Sequence, residues 1–234
     1  MKPAKNRSMS GKITVLKRRI LRFGGSALKS NKTPNFAEEK RFARLGFVNI
    51  AGVDEVGRGS IAGPVVAAAV ILPANFKIPQ GFGDSKQVKP QKRKVFAKLI
   101  KRQAKTYFEA VVPVSKIDKL GLGKAVQIAF RKALKSLAPP ADFILIDAFY
   151  ISHLNRKNQR PIVRGDQKSA SIAAASILAK VYRDKIMKKL ARKYPEYKFG
   201  KNKGYGTKDH QVAIKKFGLS KIHRKSFNLN FLNA

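Results

Sequence analysis

The segment that most constrains the fold is Phe143-Ile144-Leu145-Ile146, four residues apolar on both faces of a strand and followed at once by Asp147. A strand with no polar face belongs inside a sheet that is covered on both sides, which is the α/β arrangement. In open α/β sheets, sites form at the carboxyl ends of strands, so this run delivers Asp147 to a functional edge.

The rest of the pattern agrees. Residues 47–53, 65–72, 107–114 and 161–163 read as further strands, the first two joined by Gly-rich sequence. A helix starts near Pro90 with Val95, Phe96, Leu99 and Ile100 on one face and lysines and arginines opposite. Another carries Ala125, Val126, Ala129, Phe130, Ala133, Leu134 and Leu137, a core stripe, and a long Ala-rich helix over 169–193 has Ile172, Ala175, Ser176, Ala179 and Tyr182 in line. These elements predict an α/β fold with a mixed central β-sheet flanked by helices and a helical C-terminal portion, one domain over residues 35–234.

Residues 1–34 are different: no acid occurs before Phe36, and basic and small polar residues recur without apolar period, which reads as a disordered basic extension. It serves as a solvated arm adding nonspecific affinity or, since residues 13–23 can form a basic amphipathic helix, as a mitochondrial address. The absence of cysteine removes disulfides and thiolate chemistry and fits a reducing, cytoplasmic compartment. The longest apolar stretch is broken by Gly63 and Pro64, short of the roughly 18 to 20 residues that cross a bilayer.

A formal charge of +38 makes nucleic acid the first partner to consider, through counterion release from phosphates. Against that charge the thirteen acidic residues stand out. Asp118, Asp184, Glu196 and Asp209 read as surface salt-bridge partners, whereas Asp54 and Glu55 follow Val53, Asp147 follows Ile146, and Asp166 follows Val163 by one turn. Adjacent residues on a regular strand face opposite sides, so Asp54 and Glu55 share a site only where the strand loses regularity, and Gly57 and Gly59 supply that break. Four converging carboxylates require cations between them, and hard oxygen ligands select Mg²⁺ or Mn²⁺. Two such ions would form a phosphodiester-cleaving site.

The block Gly52-Val53-Asp54-Glu55-Val56-Gly57-Arg58-Gly59, continued by Gly63-Pro64-Val65-Val66, resembles the signature of ribonuclease HII. Later matches fall in order: Asp84-Ser85-Lys86, Leu145-Ile146-Asp147, Gly165-Asp166, residues 174–180, Lys203-Gly204-Tyr205-Gly206-Thr207 and His223-Arg224-Lys225-Ser226-Phe227. The resemblance implies a ribonuclease H-like sheet on which Asp54, Glu55, Asp147 and Asp166 bind catalytic Mg²⁺ or Mn²⁺. It implies that Gly57, Arg58 and Gly59 contact a ribonucleotide's 2′-hydroxyl and the neighbouring phosphate, where a side chain at either glycine would obstruct. It further implies that Tyr205 stacks on the deoxyribose just 3′ of that ribonucleotide. The 2′-hydroxyl is what distinguishes RNA from DNA. Substrates on this reading are RNA/DNA hybrids and duplex DNA with an embedded ribonucleotide, cut on its 5′ side to leave a 3′-hydroxyl and a 5′-phosphate.

Lys86, His223, Arg224, Lys225 and Ser226 are candidate phosphate contacts, while His153 and His210 are given no chemistry. A monomer is expected, and residues 227–234 carry no clamp-binding motif. Two departures from the family pattern are Ala148, where many relatives have glycine, and Gly121-Leu122-Gly123-Lys124 at a helix start. Two rivals remain at this point: ribonuclease HIII, which usually has lysine where Arg58 stands and carries an extra N-terminal domain, and a noncatalytic basic RNA-binding or ribosome-associated protein whose acids only balance charge.

Overall fold

In the computed structural model, which describes residues 33–230, five strands form one mixed sheet: β1 (Ile50–Val56), β2 (Val65–Ile71), β3 (Thr106–Val112), β4 (Phe143–Asp147) and β5 (Gln159–Ile162). The order is β3-β2-β1-β4-β5, with β2 antiparallel to both β1 and β3, and with β4 and β5 running parallel to β1. All of β2 and the first four residues of β4 are buried, as their unbroken apolar sequences require for strands covered on both faces. The expected leader and its short helix lie mainly outside the described residues, as do the last four positions of the C-terminal stretch read for a clamp motif.

Helices α1 (Ala37–Ala43), α2 (Pro90–Gln103), α3 (Val114–Leu120), α4 (Leu122–Lys135) and α5 (Ala170–Lys193) surround the sheet, and α6 (Phe199–Asn202) and α7 (Lys208–Phe217) follow in the C-terminal portion. One face packs Ala51, Val53, Ala67, Ala69 and Ile146 against Val126, Ala129, Phe130 and Ala133 of α4. The other packs Val66, Ala68 and Val70 against Phe96 and Ile100 of α2 and Ala174, Ile177 and Leu178 of α5. Ala170 through Ala179 are buried on every side, so the first half of α5 is a core helix rather than one with a single stripe. Small residues permit that close approach: a Cβ on Gly52 would lie 2.0 Å from the Ser171 carbonyl carbon.

Three local readings shift. Strand β1 begins at Ile50 and runs through Val56, because its antiparallel pairing with β2 continues as far as Val56 opposite Val66. Phe47, taken for strand, instead joins Phe42 and Phe143 in an aromatic cluster beneath α1. On α2 the inward face is Arg93, Phe96, Ala97 and Ile100, and Val95 is 63% exposed. Glu39 had no assigned role; it is buried, and it accepts the Ser169 hydroxyl at 2.7 Å and the Ser171 N–H at 2.8 Å. It thereby satisfies free donors at the start of α5 and favours that end of the helix dipole.

Candidate active site

Parallel pairing of Val53 with Ile146 makes Asp54 and Asp147 the next residues of neighbouring strands. Both lie on the α5 side: Asp54 is hydrogen-bonded to Ser176 of that helix, and the Asp147 Oδ1 accepts the Gly165 N–H at 2.8 Å just before it. Glu55, one residue later, falls on the opposite face by strand alternation. The expected irregularity between the two acids is absent, since the β1–β2 register is continuous through both. They share an edge because β4 ends at Asp147, which leaves Glu55 beside the end of a strand rather than behind it. Asp166 stands on the 3₁₀ turn Gly165–Gln167, between β5 and α5.

The electrostatics link the four. Burial, then the charges of Glu55 and Asp147, hold the Asp54 carboxyl well above the usual carboxylate range. Burial also raises Glu55, opposed by Arg58 and reinforced by Asp147. Asp166 is pushed up to about 6 by burial, then by Asp84 and Asp147, with Lys86 pulling the other way. The charge of Asp147 thus bears on all three others. Among the described residues no three Asp, Glu or His side chains are gathered closely enough to hold a metal ion in the positions seen here. The donor set is hard oxygen throughout, and a divalent cation would relieve both the burial and the mutual repulsion, so in its chemistry the site fits such an ion.

Immediately after β1 the chain turns at Gly57, whose φ of +94° is one that L side chains rarely adopt, and a Cβ there would lie 2.3 Å from the Arg183 Nε. Arg183 and Arg224 are both fully buried. Arg183 donates to the carbonyls of Pro64 (2.9 Å), Lys203 (2.9 Å) and Ala62 (3.1 Å). Arg224 donates twice to Gly63, at 3.0 and 2.9 Å, and to the Arg58 carbonyl at 2.9 Å. These bonds satisfy loop carbonyls that would otherwise be buried unpaired. Gly59 differs, with nothing within 4 Å of its would-be Cβ. The Arg58 side chain is exposed, 3.2 Å from Glu55 and 5.0 Å from the Phe149 ring centroid.

Tyr205 reaches this loop through a β-bridge with Ser60, and its ring centroid lies 5.6 Å from Arg183 and 5.8 Å from Lys180. Two buried histidines support it. The His223 Nδ1 accepts the Ser220 N–H at 2.8 Å, so its Nε2–H donates to the His210 Nε2 at 2.9 Å, and the His210 Nδ1–H donates to the Tyr205 carbonyl at 2.8 Å. Burial, then His210, push His223 down to about 4, in keeping with a neutral pair.

The remaining expected contacts divide. Lys86 is exposed beside Asp166. Lys225 is exposed, but the Ser226 hydroxyl is committed to Asp118 at 2.7 Å. Arg224 requires correction: buried and bonded to backbone carbonyls, it has no face for a phosphate and supports the loop instead. His210 and His223 are structural partners of Tyr205, and exposed His153 stands apart from them. Asp84, Ser176 and Arg183 were missed as parts of the site. Asp84 and Ser176 carried a sequence signal, each lying within a block that resembles the family, whereas Arg183 carried none.

Carboxylates at the ends of parallel strands, beside a glycine-arginine loop on a mixed sheet, define a metal-dependent nuclease of the ribonuclease H class. The profile of the family Ribonuclease HII matches residues 51–230, and the chain belongs to that family of endonucleases, which hydrolyse the RNA strand of RNA/DNA hybrids. It is 48% identical over 190 residues to a ribonuclease HII of Desulfitobacterium hafniense, covering 81% of this chain and 72% of that one. A solved ribonuclease H2 from Pyrococcus horikoshii OT3 superposes with a TM-score of 0.64 at 28% identity, over 80% of this chain and 96% of that chain. A Bst ribonuclease HIII solved with Mn²⁺ shares the fold, with a TM-score of 0.60 at 18% identity over 93% of this chain and 79% of that one. Family membership sets aside the noncatalytic reading.

Proposed function

We propose that this enzyme nicks duplex DNA on the 5′ side of a single embedded ribonucleotide, as well as cutting longer hybrids, with two divalent cations held by Asp54, Glu55, Asp147 and Asp166. The observation that carries the proposal is the Gly57–Ser60 loop: it starts just past Glu55, packs Gly57 against buried Arg183, is hydrogen-bonded at the Arg58 carbonyl by buried Arg224, and is bridged to Tyr205. A loop with open space at Gly59 lets backbone approach a sugar closely, as recognition of one 2′-hydroxyl requires. Tyr205 offers a flat ring to the next sugar, and Arg58 offers a cation to the phosphate between them. When bound, Mg²⁺ or Mn²⁺ would activate the attacking water and stabilise the departing 3′ oxygen; the Mn²⁺ complex of the ribonuclease HIII neighbour supports that assignment.

The test is cleavage of three duplexes in Mg²⁺ or Mn²⁺: one embedded ribonucleotide, an all-RNA strand on DNA, and all DNA. A nick 5′ of the single ribonucleotide, leaving a 3′-hydroxyl and a 5′-phosphate, is expected, with the all-DNA duplex intact. Folded enzyme that cuts the hybrid but leaves the single ribonucleotide untouched would overturn the junction reading.

A further inference from the structure

A groove of about 770 Å³ runs between α2 and the C-terminal half of α5, outside the site described above. Lys94 and Lys98 line it from α2, and Lys185, Lys188, Lys189 and Arg192 from α5. The spacings of three, four and seven residues, Lys185 to Lys188, Lys94 to Lys98 and Lys185 to Arg192, put these cations on the facing sides of the two helices. Asp184, the acid in the lining, is already engaged by Arg93 at 3.4 Å and Lys180 at 2.8 Å. Among the described residues no ion pair is made by the six cations named. Two helices that face each other with one sign of charge repel unless a polyanion lies between them.

The occupant is limited by charge and position. A second copy of a chain at +38 is repelled, and a small anion would meet only one or two of the cations. The groove ends at Lys203, whose carbonyl is held by Arg183 and which precedes Gly204 and Tyr205. Lys180, one turn before Asp184, reaches the Tyr205 ring. The groove therefore opens on the point where the proposed function puts the substrate's deoxyribose. From Lys180 to Arg192, α5 advances roughly 18 Å, equal to about five base pairs of duplex.

We infer that this groove binds the sugar–phosphate backbone of the substrate duplex over roughly five base pairs beyond Tyr205, a role that rests on the substrate reading of Tyr205. It lengthens the footprint on one side of the cut and leaves the chemistry to the carboxylates.

The test uses duplexes with one ribonucleotide and a blunt end set at increasing distances on either side. For the unaltered enzyme KM falls as one arm grows to about five base pairs and then levels, whereas the other arm lacks this step. In the triple variant K98E/K185E/K188E, all at exposed positions, the ratio of KM on short and long arms collapses toward one. Its salt slope drops by about two to three. A triple variant on the opposite face of the sheet, K124E/K132E/K135E on α4, carries the same charge change at exposed positions and keeps the length step. Equal length dependence in the groove variant and the unaltered enzyme would overturn the inference, as would equal loss in the α4 variant. Fluorescence anisotropy of the same duplexes reads the groove even where no nick is made, so failure of the junction reading is separable.

Discussion

The carboxylate edge and the glycine-arginine loop are consecutive in the chain, yet they are held by opposite means. Asp54 and Glu55 owe their positions to a local cause, the register of β1 between β2 and β4, and that register leaves buried acids whose charges raise one another. The loop from Gly57 to Ser60 owes its shape to distant residues: Arg183 packs against Gly57, and Arg224 is 166 positions from Arg58, whose carbonyl it holds. At the edge, function strains the fold. In the loop, the fold satisfies buried backbone so that function has a fixed surface.

The comparison breaks most sharply at Asp54. Asp54→Asn is expected to lower cleavage on the order of a hundredfold or more, while thermal stability stays level or rises, because a neutral amide replaces a carboxyl disfavoured by burial and by Glu55 and Asp147. Cleavage rates beside calorimetric melting test this; a large loss of stability with activity retained would refute it. The loop should respond in the opposite sense. Gly57→Ala meets Arg183 and a φ of +94°, so about 1–3 kcal/mol of stability should be lost. Gly59→Ala has no atom within 4 Å to strike, so urea midpoints should shift by less than about 0.5 kcal/mol while ribonucleotide cleavage falls. Similar destabilisation of both variants would end the distinction. The smallest effect is a gain: Ala148 follows Asp147 at a φ of 71°, where a Cβ costs about 1 kcal/mol, so Ala148→Gly should stabilise the edge by that amount in urea unfolding.

Ala148 also shows how much could be read beforehand. Its departure from the family pattern was visible as a residue type, and its cost became visible only with the backbone angle. The acids at strand ends were legible because hydrophobic runs mark interior strands and put the next residue in the chain at an edge. The end of β1 was misread because Asp54-Glu55 breaks the apolar run while the ladder to β2 continues through it. The supporting roles of Arg183 and Arg224 were opaque for a different reason. Each resembles any of 51 basic residues, and the partners that distinguish them are backbone carbonyls, which leave no mark in a sequence. His210 and His223 pair across 13 positions through ring nitrogens, so neither carries a ligand spacing that would have singled it out. Val95 sat on the wrong face because a one-residue rotation of the helical stripe is small against the choice between Arg93 and Val95 as the inward residue.

The reach of Arg224 back to Arg58 has a consequence for how the enzyme is made. A chain is synthesised from its amino terminus, and the segments of a domain begin to collapse as they emerge. All four carboxylates are synthesised by residue 166, well before the arginine that sets the loop beside them. The acids of the edge are therefore made before the loop beside them can be set, and on the proposed reading discrimination between sugars comes last, when Arg224 reaches Arg58.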